Sequence, residues 1–312
     1  MKFAFIVDPL AKLKAYKDSS IFMMREAVKR GHEVWAFEAH EMFSARVVCA
    51  TAHHLEISSD HHAWYREISS NTPPLTFFDA VLMRKDPPFN QEYLYSTLLL
   101  SLAEQQGARV VNRPNALRDY NEKLAILKFE RFTSPTLVTA DMGRIHAFVD
   151  EHRDVIVKKL DGMGGTSIFL VRKDDPNRNA IIEVQTINGS ETIMAQRYIP
   201  EITKGDKRVL VIDGKVVPFC LARIPKAGET RGNLAAGGRG VAQPISPRDR
   251  EIAEALGPQL KADGLMLVGL DIIGEYLTEV NVTSPTCLVE IFEQAGFNAA
   301  ALVIDALEKR DA

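Results

Sequence analysis

Leu270-Asp-Ile-Ile-Gly-Glu-Tyr-Leu-Thr-Glu-Val-Asn-Val-Thr-Ser-Pro285 is the stretch whose reading decides the fold. Apolar side chains alternate at Val268, Leu270 and Ile272 and again at Val280 and Val282, the period of two strands with one buried face each. Asp271 on the first strand and Glu279 with Asn281 on the second therefore share the opposite face. A three-residue loop, Gly274 to Tyr276, sets Asp271 directly across from Glu279, whereas a two-residue Gly-Glu turn would slip the register and part them. The three-residue loop is the expectation. Hard oxygen ligands grouped in this way suit Mg²⁺, which takes a few carboxylates together with substrate phosphates, and so point to ATP. A solvated hairpin face bearing acids is the plain alternative, and other segments decide between them.

Upstream, Asp154 to Lys159, Ser167 to Val171, Glu191 to Tyr198, Lys207 to Ile212 and Val216 to Ile224 read as further strands. With the loops and helices between them they make an α+β body on antiparallel sheets. Lys158 lies near the end of the first of these strands and is followed by Asp161-Gly-Met-Gly-Gly-Thr-Ser167, where glycines let backbone N–H groups approach phosphate oxygens. This segment reads as a phosphate flap or as a plain hairpin turn. It is neither a P-loop nor a dinucleotide fingerprint, since neither glycine pattern occurs. A second segment, Ile224-Pro-Lys-Ala-Gly-Glu-Thr-Arg-Gly-Asn-Leu-Ala-Ala-Gly-Gly-Arg-Gly240, carries Arg231 and Arg239 and is long enough for a lid. Arginines there can hold phosphate or carboxylate oxygens on closure. Arg208 and Arg223 fall on strands, where a buried charge needs a salt-bridge partner or a ligand.

The first part of the chain has another rhythm. Lys2 to Val7 reads as a buried strand, Asp8 to Ser20 as a loop, Ile21 to Arg30 as a helix closed by Gly31, and His32 to Glu38 as a second strand. Ala80 to Met83, a helix from Glu92 to Gln106 and the strand Arg109 to Val111 repeat the pattern, giving an open α/β unit. Ile21, Met24 and Val28 stand at helical spacing as core positions. The polar stretch Asn112 to Asn121 precedes a helix containing Lys123 and places a domain boundary at about residue 120.

Composition narrows the function classes. At 312 residues with 46% hydrophobic content the chain can bury a large core in two or three units. A net charge of −3 and a pI near 6.3 give no electrostatic case for nucleic acid. No apolar run reaches membrane-spanning length, and the opening Met-Lys-Phe-Ala-Phe-Ile-Val is stopped by Asp8 and Pro9, as a strand rather than a signal peptide. Cys49, Cys220 and Cys287 are too few and too scattered for a disulfide framework or a zinc cluster, which fits a reducing, cytoplasmic compartment. His53-His54 and His61-His62 match no ligand spacing and read as solvated loop or helix surface.

Longer strings carry a resemblance. Asn121-Glu-Lys123, Lys158 with Asp161-Gly-Met-Gly-Gly, Met194-Ala-Gln-Arg-Tyr-Ile199, Gly205-Asp-Lys-Arg208 and Leu221-Ala-Arg-Ile-Pro occur in that order. Glu229-Thr-Arg-Gly-Asn-Leu-Ala-Ala-Gly-Gly-Arg and Glu279-Val-Asn-Val-Thr-Ser-Pro follow them. Together with Asp8-Pro9, Lys17-Asp-Ser-Ser20 and Met83-Arg-Lys-Asp-Pro-Pro88, they resemble the bacterial glutathione synthetases of the ATP-grasp superfamily over nearly the whole chain. The resemblance implies a substrate-binding α/β domain over residues 1–120, a small ATP-grasp subdomain over 121–200 and a large one with the Mg²⁺ site over 201–312.

By the same resemblance, Lys123 and Lys158 grip the ATP phosphates under a flap of Gly162, Met163, Gly164 and Gly165, and Gln196, Arg197, Tyr198 and Ile199 form the adenine hinge. Arg208 reaches the transferred phosphate, and Asp271, Glu279 and Asn281 hold Mg²⁺, or Mn²⁺ in its place. Gly237, Gly238 and Arg239 belong to the lid over the nucleotide. Ser19, Arg84, Arg223 and Arg231 stand for the carboxylates of γ-glutamylcysteine, Ser284, Pro285 and Thr286 stand near the reacting carboxylate, and Arg208, Arg223 and Arg231 are the catalytic set. Glycine is the implied acceptor and a homotetramer the implied assembly. Lys159, where relatives often have proline, and Arg197, where a neutral or acidic hinge residue is common, depart from the pattern. Another ATP-grasp amino-acid ligase and a non-catalytic nucleotide-binding module are the alternatives.

Overall fold

The computed structural model describes residues 1–226, 228–229, 232, 234 and 237–309. Strand β1 (Lys2–Ile6) sends Phe3 and Phe5 into one core and Ala4 and Ile6 into another, so it is apolar at nearly every position. A strand covered on both faces has no solvent side to mark with polar residues. Each fully buried phenylalanine contributes about 1.5–3 kcal/mol. The next element is α1 (Ser19–Lys29), whose N-cap Asp18 accepts from the amides of Ser20 and Ile21 at 2.7 and 2.9 Å. That cap starts the helix earlier than the apolar periodicity indicates. Its buried stripe runs through Ile21, Met24 and Ala27, and Val28, read as core, lies at the edge of the stripe and is 37% exposed.

β2 (Glu33–Phe37), β3 (Met42–Ser44), β4 (Val48–Ala50), β5 (Ala52–Ile57), β6 (Tyr65–Asn71), β7 (Ala80–Met83), α2 (Gln91–Gln105) and β8 (Val110–Val111) follow. The six-stranded sheet runs β6-β5-β2-β1-β7-β8, parallel from β2 to β8 and antiparallel at β5 and β6. His53 and His54, expected on a loop or helix surface, lie on β5. His53 is set between Glu41 and Glu67 at 3.1 Å from each, and those polar partners hide the strand from a hydrophobicity reading. The polar stretch after β8 contains a short helix, α3 (Pro114–Asp119), with proline in its first turn. Lys123 is not inside a helix but caps a 3₁₀ run, Leu124–Phe132.

β9 (Thr136–Thr139), α4 (Met142–His152), β10 (Asp154–Lys159), β11 (Ile168–Arg172), α5 (Arg178–Thr186) and β12 (Ile193–Arg197) build an antiparallel sheet in the order β11-β10-β12-β9. It packs around a separate core that includes Ile145, Val149, Val157 and Ile182. β13 (Asp206–Ile212), β14 (Lys215–Ile224), β15 (Arg239–Pro244), α6 (Pro247–Ala262), β16 (Leu267–Ile273), β17 (Tyr276–Asn281), α7 (Leu288–Ala295) and α8 (Ala299–Glu308) complete the chain. Their sheet, β15-β14-β13-β16-β17, is antiparallel throughout.

Two connections place this last sheet against the N-terminal unit. Both cores of the N-terminal sheet extend into it, one through Val209, Val268 and Leu270, the other through Leu210, Ile212 and Leu267. Asn112, buried just after β8, donates to the carbonyls of Leu267 and Val282 at 2.9 and 2.8 Å and accepts from the amides of Met266 and Leu267 at 2.8 and 3.0 Å. That uses both donors and both lone pairs of its amide.

The β16–β17 hairpin differs from expectation in an instructive way. Its loop is the two residues Gly274 and Glu275, with Ile273 paired to Tyr276 and Ile272 to Leu277. Such a turn alone would misalign the acids. A bulge at Thr278 inserts one extra residue on β17 and restores Asp271 opposite Glu279. Thr278 Oγ1 donates to the Asp271 carbonyl at 3.1 Å and fixes the bulge.

Candidate active site

One cavity of about 510 Å³ lies where the three sheets meet. Its floor is the five-stranded sheet. Arg208 on β13 pairs across the strands with Asp271 on β16, donating from Nε at 2.5 Å to one carboxylate oxygen and from Nη2 at 3.0 Å to the other. Arg223 on β14 donates to Asp271 at 2.8 Å and to Asp206 at 2.5 Å. The arginine side chain of residue 208 passes over Gly269, where a Cβ would come within 2.7 Å of its Cδ, so a larger residue there would displace the Arg208 side chain. Burial pushes the Asp271 carboxyl up, but Arg208 and Arg223 outweigh it and hold the group well below the usual carboxylate range. Asp206 shows the reverse: burial dominates over Arg223, and Asp271 and Glu279 add repulsion, so its carboxyl is pushed up to about 7.

Glu279 stands opposite Asp271 and 3.8 Å from both Lys123 and Lys158. Lys158 also donates to the Thr278 carbonyl at 3.3 Å, and Lys123 to the Gly162 carbonyl. Burial lowers the Lys158 ammonium, with Glu279 opposing that shift. Asn281 donates its side-chain amide to the Gly269 carbonyl at 3.2 Å, which leaves its oxygen as the ligand-side atom. Asp271, Glu279 and Asn281 thus present hard oxygens from one face of adjacent strands, a donor set that fits a magnesium-type ion. Asp271 itself lies beneath the two arginines and is only 2% exposed.

The four-stranded sheet forms the roof. Gly162, Met163, Gly164 and Gly165 line the cavity, with Gly164 and Gly165 at φ of 62° and 83°. Ile156, Ile168, Ile199, Ile202 and Ile273 make an apolar slot beside Gln196, Arg197 and Tyr198. Arg197 does not enter a charge cluster; its Nη2 donates to the Tyr276 hydroxyl at 3.1 Å, tying the slot to the hairpin turn.

The third wall is N-terminal. Arg84, buried, donates to Ser20 Oγ at 3.1 Å and to the Pro285 carbonyl at 2.9 Å, while Ser19 Oγ accepts from the Leu288 amide at 3.3 Å. Lys12, Lys14 and Lys17 edge the opening beside Asp8 and Asp86. Ser284 and Thr286 line the cavity, whereas Pro285 takes part through its carbonyl. Gly237, Gly238 and Arg239 do not line it; Arg239 starts β15 with its side chain exposed. Arg231 lies outside the described residues.

Sequence reasoning missed Asp206, Glu122 and, apart from Ile199, the isoleucine slot. Asp206 was within reach, because it precedes Arg208 by two residues on one strand and so shares its face. The slot had no such signal, since its members come from separate strands, the segment after β12 and a hairpin end.

Family models match the chain twice. Residues 1–118 fit the N-terminal domain of prokaryotic glutathione synthetase, and residues 122–296 fit its ATP-grasp domain. A glutathione synthetase of Ralstonia nicotianae is 56% identical over 310 residues, covering 99% of this chain and 96% of that protein. The Nitrosomonas europaea glutathione synthetase is 56% identical over 313 residues, covering 99% and 98%, and that of Shewanella oneidensis is 50% identical over 311, covering 99% of both. Among solved structures, D-cycloserine synthetase DcsG superposes with a TM-score of 0.68 at 14% identity over 98% of both chains. ATP-grasp ligase PsnB with a minimal precursor gives 0.64 at 20% over 97% of both. These two likenesses bear on the fold alone, which is that of ATP-grasp ligases.

Proposed function

The chain belongs to the prokaryotic glutathione synthetase family, and from that premise we propose that it joins glycine to the cysteine carboxylate of γ-glutamylcysteine, converting ATP to ADP and phosphate. A carboxylate is a poor acyl donor. Its oxygen attacks the γ-phosphorus of ATP, ADP leaves, and the mixed anhydride so formed has phosphate as a good leaving group for the glycine amine. No side-chain nucleophile is needed. The transfer needs positioning and charge neutralisation instead.

The observation that carries the reading is the convergence of four cationic side chains and the acids of β16 and β17 on one cavity. Lys123 and Lys158 converge on Glu279, each 3.8 Å from it, and line the cavity together with Asn281 and with Arg208 and Arg223 on the floor. In this reading the lysines hold ATP phosphates under the Gly162 to Gly165 flap, and the isoleucine slot takes the adenine. Gln196, Arg197, Tyr198 and Ile199 form its hinge. Arg208 neutralises the transferred phosphate, and Arg223 and Arg231 steady the acyl carboxylate. Asp271, Glu279 and Asn281 would hold Mg²⁺ or Mn²⁺, which supplies charge neutralisation at the phosphates when bound. Arg84 and Ser19 recognise γ-glutamylcysteine carboxylates from the N-terminal side, with Ser284, Pro285 and Thr286 beside the reacting group. Gly237, Gly238 and Arg239 serve the lid.

Division into units over 1–120, 121–200 and 201–312, a homotetramer and a cytoplasmic location belong to the same proposal. Family resemblance supports the assembly. The location rests on three free cysteines and on the fact that no helix among the described residues is long and apolar enough to cross a membrane.

The test is ADP formation with Mg-ATP, γ-glutamylcysteine and glycine, each omitted in turn, with mass spectrometry of the product. Equal amounts of glutathione and ADP are expected. ADP release only with another amino-acid pair would replace the substrates, and ATP binding without turnover would replace the ligase by a binding module.

A further inference from the structure

Three consecutive residues reach three different parts of the cavity wall. Asn121 donates to the Leu160 carbonyl beyond the end of β10 at 3.2 Å. Lys123 holds the Gly162 carbonyl of the flap and lies 3.8 Å from Glu279. Between them, Glu122 turns to the exit of β17. One of its carboxylate oxygens accepts from the Val282 amide at 3.0 Å, the Thr283 amide at 3.1 Å and the Thr283 hydroxyl at 2.8 Å. Its main-chain carbonyl accepts from the Val280 amide at 2.8 Å.

All three donors meet one atom at the point where the strand bearing Glu279 and Asn281 leaves the sheet. The chain then crosses the cavity edge through Ser284 and Thr286 and is caught again by the N-terminal unit, through Arg84 on the Pro285 carbonyl and Ser19 on the Leu288 amide. Glu122 is thus the near anchor of this crossing segment, and Arg84 with Ser19 the far one. Without the Glu122 carboxylate, the Val282 and Thr283 amides and the Thr283 hydroxyl lose their acceptor, the near end is held only by Asn112 on the Val282 carbonyl at 2.8 Å, and a shift of about 1 Å beside reacting atoms is costly to turnover.

We propose that Glu122 is a positioning residue for the acceptor side of the reaction: it fixes the Ser284–Thr286 segment against the N-terminal wall, while its neighbour Lys123 serves the nucleotide. This rests on the ligase reading above. One oxygen of Glu122 accepts all three bonds, so a glutamine, which keeps one oxygen acceptor on a side chain of the same length, is the conservative replacement for it.

The experiment compares Glu122→Gln, Thr283→Val and Glu122→Ala with the parent enzyme. Steady-state kinetics are measured for γ-glutamylcysteine and glycine, and ATP binding by calorimetry. Glu122→Ala should raise KM for the acceptor substrates roughly tenfold or more, with Kd for ATP within about twofold. Thr283→Val, which removes one donor of three, should move the same KM values by about threefold, and Glu122→Gln should restore near-parental kinetics. If the alanine variant does not fold, Thr283→Val and Glu122→Gln carry the test. Equal changes in ATP and acceptor parameters, or a glutamine variant as impaired as the alanine one, would overturn the proposal, as would unchanged kinetics in both Glu122→Ala and Thr283→Val. A parent enzyme inactive on these substrates would defeat the ligase reading instead. In that case hydrogen exchange of residues 282–288 decides: faster exchange in Thr283→Val and Glu122→Ala supports the anchor, and unchanged exchange removes it.

Discussion

The floor and the roof of the cavity are both antiparallel sheets, yet they serve it by opposite means. The floor acts through side chains: Arg208, Arg223, Asp206 and Asp271 form a connected charged mesh on one face of β13, β14 and β16, and Glu279 on β17, opposite Asp271, pairs with Lys123 and Lys158. The roof acts mostly through shape, with an isoleucine slot and a glycine flap, and through the two charges of Lys158 and Arg197. A mesh of buried charges tolerates no missing member, because each deletion strands a partner. A slot tolerates change in proportion to the area lost.

The harshest way to break this contrast is Asp271→Ala, which leaves Arg208 and Arg223 without their shared carboxylate. Chemical denaturation should show a loss of about 3–5 kcal/mol, and a loss below about 1 kcal/mol would show that the floor is not a mesh. Next is pH. Because burial pushes the Asp206 carboxyl up to about 7 when folded, against an ordinary aspartate value of about 3.8, the folded state holds an extra proton between those values. Its contribution is full below the unfolded value and is lost as pH rises towards 7, with a slope of up to about 1.4 kcal/mol per unit. Denaturation of Asp206→Asn across that window should lack this slope; parallel curves would refute the shift.

Glu279→Gln should lower Mg²⁺-dependent turnover about 100-fold while stability moves by about 1 kcal/mol or less. Near-normal rates would sink the metal assignment. On the roof, Ile156→Ala or Ile168→Ala should raise KM for ATP by roughly tenfold with kcat held, the size expected for lost apolar contact. Smallest of all, Tyr276→Phe removes one hydrogen bond to Arg197 and should change KM for ATP by about threefold or less.

The same contrast explains what could be read in advance. Charged residues on an alternating strand announce their shared face, so the Asp271, Glu279 and Asn281 face was visible before any coordinates. Even the mistaken loop length did no harm to that reading, because the bulge at Thr278 compensates a shorter turn, and bulges have no period to detect. The isoleucines gave no warning, since an apolar residue in a slot looks like any core residue. Val28 shows the matching error on α1, where helical spacing counted a boundary position as core. β5 escaped notice because its polar side chains find partners on neighbouring segments, His53 with Glu41 and Glu67, His54 stacked on Trp35 and Glu56 with Arg66, rather than alternating with apolar residues. Glu122 was quoted only as part of a motif, because its role depends on a contact 161 positions away in sequence.

Asn112 sets how the molecule can move. Its four hydrogen bonds, together with the two cores that run from the N-terminal sheet into β13 and β16, weld the Arg84 wall and the charged floor into one block. The roof, built largely around a core of its own, is the jaw that closes on this anvil. Any opening that admits ATP or frees ADP is therefore expected at the roof, with hydrogen exchange slower in the block of floor and N-terminal wall than in β9–β12 as the check.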